Sequence, residues 1–210
     1  MKSKKVTALE AIKAFYIGNE LLGEIFKVSE KHREKKLESN LKKIVVKAKK
    51  LSQKDLLTYH LDNYHPRYDN YLNSTWELKE VELKDCGVWP RMGGLPDVAT
   101  RGSVLDTVEY IKPYLEDKNK LSLKTSRVLY VEEMMKYAEK ITKHIPIVVI
   151  EEGVIRHNKL IKASVRKNYK KCKYDIDDGN HRALAYGMLG KKKILALVGK
   201  RVSKSELLYY

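Results

Sequence analysis

The chain lacks any run of eighteen or more apolar residues, so no segment of it is expected to cross a membrane as a helix. Its first residues, Met1-Lys2-Ser3-Lys4-Lys5, lead into an amphipathic stretch rather than a continuous apolar one, which argues against a cleaved leader. Cysteine is scarce: Cys86 and Cys172 stand far apart and match no metal-ligand spacing. The expectation is two reduced thiols in a cytoplasmic protein, with a single disulfide as the other option. No His-Glu-x-x-His occurs, and His60 and His65, five apart near an expected helix end, read as surface residues rather than metal ligands. There is no Gly-x-Ser-x-Gly elbow to support a hydrolase triad. Gly187-Met188-Leu189-Gly190-Lys191-Lys192 has the wrong glycine spacing for a Walker loop, and reads as a helix end followed by basic residues.

Acid is also in deficit. Lys and Arg number 43 against 27 Asp and Glu, a net charge of +16. The excess is uneven: +7 over residues 1–70, −2 over 71–155 and +12 over 156–204. A uniformly lysine-rich surface would not leave the middle third slightly acidic. A field of this sign attracts polyanions, so nucleic acid joins nucleotide as an expected partner, through the basic surfaces. With 43% hydrophobic residues in 210, the chain can bury a real core and is not expected to be disordered.

Along the chain the periodicity changes. Val6, Leu9, Ile12, Phe15, Tyr16, Leu22, Ile25, Phe26 and Val28 follow a helical beat over residues 6 to about 36, with Thr7 and Glu10 as a capping box. Ile17-Gly18-Asn19 is expected to break that segment in two. A second helix is expected over about 40–51 after Ser39, and a third from Ser52, where Ser52-x-x-Asp55 is another box, to about Tyr64. His65-Pro66 stops it. Residues 1–70 thus read as a helical N-terminal region, followed by a polar, tyrosine-rich linker. From Trp76 the chain reads as short strands and helices. A strand over 78–83 is followed by a loop at 88–94 and a helix over 104–115 capped by Ser103 and Asp106. Another helix is expected from Val128 to Lys143. Ile145 to Glu151 is a nearly unbroken apolar run that suits a buried strand. Further strands are expected at 160–165, 174–176 and 194–198, with a helix over 182–189 ended by Gly190.

Between the last two strands lies Asp178-Gly179-Asn180-His181-Arg182. Glycine there allows backbone angles barred to other residues and removes bulk where an anion would approach. The helix that follows offers unpaired N–H groups and the positive end of its dipole. Arg182, on the first turn, can fork two hydrogen bonds onto phosphate oxygens, and His181 adds a donor. Asp177 and Asp178 are candidates to hold a magnesium ion beside a triphosphate, or to act as a base alongside a catalytic His181.

The run Ile176-Asp177-Asp178-Gly179-Asn180-His181-Arg182-Ala183-x-Ala185, followed by Gly190 and a hydrophobic strand, resembles the signature of the ParB/sulfiredoxin-like superfamily. That superfamily includes the nucleotide-binding domain of chromosome-partitioning ParB proteins, sulfiredoxins, archaeal free-serine kinases and proteins named for an Asp-Gly-x-His-Arg motif. The resemblance covers about residues 76–200 and implies an α+β domain, a small mixed sheet with helices, that binds nucleotide phosphates. Carried over, Gly179, Asn180, His181 and Arg182 would line the phosphate site. Arg91, which follows Pro90, would be a further ligand. The implied cofactor is a nucleoside triphosphate or diphosphate, with Mg2+ as an accompanying candidate. Sulfiredoxins have their cysteine immediately before the motif His-Arg, where this chain has Asn180, so sulfinic acid reduction is not expected. ParB proteins carry a helix-turn-helix domain after this one, whereas only about ten residues follow the last expected strand here. The readings left open are a nucleotide-binding protein with phosphoryl transfer or hydrolysis, a DNA-binding protein without turnover, and a metal-dependent nuclease.

Overall fold

In a computed structural model of the chain, the described residues are 3–25, 30–59, 71–88, 102–121, 127–151, 154–156, 159–161 and 172–202. Strand β1 (Lys4–Val6) precedes helices α1 (Ala8–Ile25), α2 (Glu30–Lys50) and α3 (Gln53–Tyr59). Strands β2 (Ser74–Glu82) and β3 (Cys86–Gly87) follow, then helices α4 (Val104–Glu116), α5 (Arg127–Met135) and α6 (Ala138–His144). The chain continues through β4 (Ile147–Glu151) and the two-stranded pair β5 (Val154–Arg156) and β6 (Lys159–Ile161). It then runs through β7 (Tyr174–Asp178), α7 (Asn180–Met188) and β8 (Lys193–Arg201). The fold is α+β.

Six strands form one mixed sheet in the order β1-β2-β8-β4-β7-β3. β4 lies parallel to β8, β3 lies parallel to β7, and the other pairings are antiparallel. Both faces of this sheet are covered. Val148, Ile150, Leu197 and Trp76 face a core shared with Phe15, Leu41 and Ile141 of the helices. Ile147, Val149, Ala196, Val198 and Ile176 face a second core with Val108, Val131 and Leu184. Burial on both sides explains the unbroken apolar run of β4, whose Ile147, Val148, Val149 and Ile150 are each 0% exposed. Those four side chains contribute on the order of 6–12 kcal/mol by transfer, an upper bound because unfolded chains already bury part of this surface.

The three capping boxes form as their spacing requires. Thr7 and Glu10, Ser52 and Asp55, and Ser103 and Asp106 each exchange side-chain and backbone hydrogen bonds across three residues. Elsewhere tertiary contacts override local signals. α1 runs unbroken through Ile17-Gly18-Asn19. α2 passes Ser39 and starts at Glu30, because Leu37, Leu41, Ile44 and Ala48 make one buried stripe at helical spacing. The helix expected over Val128–Lys143 is two: the last turn of α5 tightens, with Lys136 N–H bonding the Glu133 carbonyl and Tyr137 N–H bonding the Met134 carbonyl. β1 was not expected, since Lys4-Lys5-Val6 shows no apolar alternation and is held by backbone pairing to β2. That pairing, and the core shared by α1–α3 with the sheet, tie the N-terminal helical region to the domain expected at 76–200. Tyr64, the expected end of the third helix, lies outside the described residues, as do His60, His65 and Arg91.

Candidate functional site

β7 carries Tyr174-Asp175-Ile176-Asp177-Asp178 into the middle of the fold, two residues further than its apolar pattern alone indicates. Gly179 then turns the chain at φ 95°, in the left-handed region, and α7 begins at Asn180. A Cβ on Gly179 would lie 2.6 Å from Ile147 Cγ2 and 2.9 Å from Arg182 Nη2, so the turn requires glycine for both angle and space. The N-cap residue of α7 is Gly179 itself, which has no side chain to cap the helix. This is the arrangement anticipated for the motif: strand, left-handed glycine, helix opening.

The charged residues of the motif are placed differently from the expectation. Arg182 was anticipated as a solvent-facing phosphate ligand, but it is only 4% exposed. Its Nη2 donates to Asp178 Oδ2 at 2.8 Å, and its Nη1 donates to the Ile145 carbonyl. Burial pulls the guanidinium below its ordinary pKa, and the Asp178 carboxylate opposes that shift. The pair spans one turn across the β7–α7 junction and ties it to Ile145, two residues before β4. α1 covers it at Gly18, where a Cβ would fall 2.5 Å from Asp178 Oδ2 and 3.5 Å from Arg182 Nη2. Gly18 is therefore a point of close approach rather than the helix break its sequence suggests.

Asp177 is also turned inward, at 1% exposure. It accepts a 2.6 Å hydrogen bond from the Tyr71 hydroxyl, whose ring packs 4.9 Å from Trp76 and 5.9 Å from Phe15. The Trp76 indole N–H donates to the Tyr71 carbonyl at 2.8 Å. Both carboxylates proposed as metal ligands or bases are thus engaged inside the fold, one by a phenol and one by a guanidinium. That donor set does not fit an open Mg2+ site. Among the described residues, no group of three or more His, Cys, Asp or Glu could hold a metal ion.

His181 sits on the first turn of α7 with its Nε2 sealed from solvent and without a hydrogen-bond partner. Burial, assisted by the nearby Arg127 cation, pushes its pKa down to about 3, so the imidazole is neutral at physiological pH. The Tyr130 ring meets His181 edge-on at 6.0 Å, and the Arg127 guanidinium lies 5.0 Å from the centre of that same ring. Arg127 and Tyr130, from α5, were not singled out in the sequence. They lie well before the motif in the chain, and no local spacing links them to it. Asp175, at the other end of β7, has its carboxyl pushed up to about 6 by burial, with Arg201 acting in the opposite direction. Cys86 is buried and Cys172 half-buried, both unoxidised, and burial raises the Cys86 thiol well above its usual range.

No family model, curated protein or solved structure matches this chain. Among the described residues, no helix is long and apolar enough to cross a membrane.

Proposed function

We propose that the β7–Gly179–α7 turn binds the phosphates of a nucleotide, in the manner of the ParB/sulfiredoxin-like proteins that the motif resembles. The observation that carries this reading is the opening of α7. Its first turn follows a left-handed glycine that has no side chain to cap it, and includes a histidine whose Nε2 has no hydrogen-bond partner. Backbone N–H groups there, with the dipole behind them, suit a phosphate better than they suit water. A neutral His181 would act as a hydrogen-bond donor rather than as a charge. Arg127 is the cation best placed beside His181, and Arg182 serves as an internal strut that fixes the turn's shape. The reading is one of binding. The two carboxylates that the motif offers for phosphoryl transfer or nuclease chemistry, Asp177 and Asp178, are held by Tyr71 and Arg182.

The test is a thermal-shift panel of ATP, ADP, CTP and GTP, with and without Mg2+, on the parent and on Asn180→Asp. A ligand confined to the folded state at a hundred times its Kd stabilises by about 2.7 kcal/mol. For a chain of this size that is a rise of roughly 5–10 °C. Asn180→Asp keeps the side-chain shape and favours the helix start, yet sets a negative charge against an incoming phosphate. A nucleotide shift in the parent that vanishes in Asn180→Asp supports the site. No shift with any nucleotide refutes it.

A further inference from the structure

We infer that the solvent face of α2, continued by the start of α3, is a binding surface for the phosphate backbone of duplex nucleic acid, separate from the α7 turn. Residues 39–54 contain Lys42, Lys43, Lys47, Lys49, Lys50 and Lys54 and no acidic residue. All six of these lysines are exposed, while Leu41, Ile44 and Ala48 occupy the opposite, buried face of the helix. Lys42, Lys43, Lys47, Lys49 and Lys50 therefore form one cationic stripe, about 12 Å long at 1.5 Å per residue. Lys13 of α1 donates to the Lys49 carbonyl at 3.0 Å, which brings another cation to the end of the stripe.

Several lysines of other elements are neutralised locally. Lys79, Lys112, Lys118, Lys120, Lys136, Lys191 and Lys193 each stand within ion-pair distance of a carboxylate. Lys43, Lys49, Lys50 and Lys54 form no ion pair among the described residues. Compensation of the helix dipole accounts for basic residues in the last turn, where Lys47, Lys49 and Lys50 lie, but that effect fades beyond it and does not reach Lys42 and Lys43. Six exposed lysines with no acidic residue among them, four of them in no ion pair among the described residues, are complementary to a repeated anion.

The occupant is narrowed by what the face offers. Among its described residues the only large exposed apolar one is Val46, at 53% exposure, which is too little for insertion into a lipid surface. Tyr and Trp are missing from residues 39–54, so bases of a single strand would find no stacking platform. Lysine is a point charge suited to phosphate, without the planar fork that reads guanine edges, so binding should be insensitive to sequence.

The experiment is fluorescence anisotropy of a labelled duplex of mixed sequence, titrated with the full chain over a series of salt concentrations. Three proteins are compared: the parent, Lys43→Gln/Lys49→Gln/Lys50→Gln/Lys54→Gln, and a charge-matched control, Lys112→Gln/Lys118→Gln/Lys136→Gln/Lys193→Gln. Glutamine keeps helix propensity, and melting curves verify the folds. The parent should bind with a steep salt dependence. The α2–α3 variant should bind at least about tenfold more weakly, with a log–log salt slope shallower by about 3–4, while the control stays close to the parent. Equal losses in both variants would mean that net charge alone is at work, and would overturn the assignment. So would a parent that fails to bind duplex, or one that prefers phosphatidylserine vesicles over duplex in a sedimentation assay. Lysine acetylation of the parent with and without duplex gives a readout that needs no variant. Protection must concentrate at residues 42–54, and even protection across the chain counts against the surface.

Discussion

Replacing Arg182 distinguishes a structural strut from a surface ligand. Arg182→Leu leaves the Asp178 carboxylate, itself only 8% exposed, without its cation, and it leaves the Ile145 carbonyl without its donor. Removing one partner of a buried ion pair typically costs about 3–5 kcal/mol, because the remaining charge stays desolvated. At about 2–4 °C per kcal/mol, the midpoint of thermal unfolding should fall by roughly 6–20 °C. Asp178→Asn should be damaging for the mirror-image reason. The double variant Asp178→Asn/Arg182→Leu removes both charges and should recover part of the loss, with a coupling of about 2–3 kcal/mol in a double-mutant cycle. Denaturant and thermal melts of the four proteins give all the terms. If Arg182→Leu melts within about 2 °C of the parent, the arginine is not buried in a pair and the reasoning fails.

Two further predictions rest on the same region. Gly18→Ala gains about 1 kcal/mol of helix propensity, yet places a methyl 2.5 Å from Asp178 Oδ2. Overpacking of about 1–3 kcal/mol should win, so the variant melts lower, and a higher midpoint would contradict the close approach of α1. The second concerns pH. His181 has a folded pKa of about 3 against 6.5, so its contribution to stability is present above 6.5 and lost as pH falls towards 3. Asp175 has a folded pKa of about 6 against 3.8, so its contribution is present below 3.8 and lost as pH rises towards 6. Each slope is at most about 1.4 kcal/mol per pH unit, and between roughly pH 4 and 6 they oppose each other. Relative to the parent, His181→Leu should lose stability as pH rises through that window, and Asp175→Asn should lose it as pH falls. Urea unfolding at three pH values checks both signs, and parallel pH profiles for all three proteins would refute the burial of these groups.

Signals confined to one turn of chain were legible in the sequence. The three capping boxes, the buried β4 run and the strand–glycine–helix order of the motif follow from spacing alone. What was missed depends on elements that meet only in the folded protein. Gly18 reads locally as a helix terminator, and only the approach of Asp178 and Arg182 from more than 150 residues away gives it a place inside α1. Arg182 reads as an anion ligand because arginine after a glycine turn so often is one. Its inward orientation requires the Ile145 carbonyl and the cover of α1. Asp177 reads as a metal ligand or a base until Tyr71, in a stretch that reads as linker, closes over it. The join between α5 and α6 was invisible because Val128, Val131, Met134, Ala138 and Ile141 keep an apolar beat straight across it.

The measurement closest to the central proposal is a titration of the isotope-labelled chain with nucleotide, following backbone amide resonances. If the turn holds phosphate, the Gly179, Asn180 and His181 amides should move most, and downfield, as their N–H groups bond phosphate oxygens. The Arg182 guanidinium signal should stay put, since its partners are Asp178 and Ile145. Perturbations that bypass residues 179–181, or no perturbation with any nucleotide, would contradict the account.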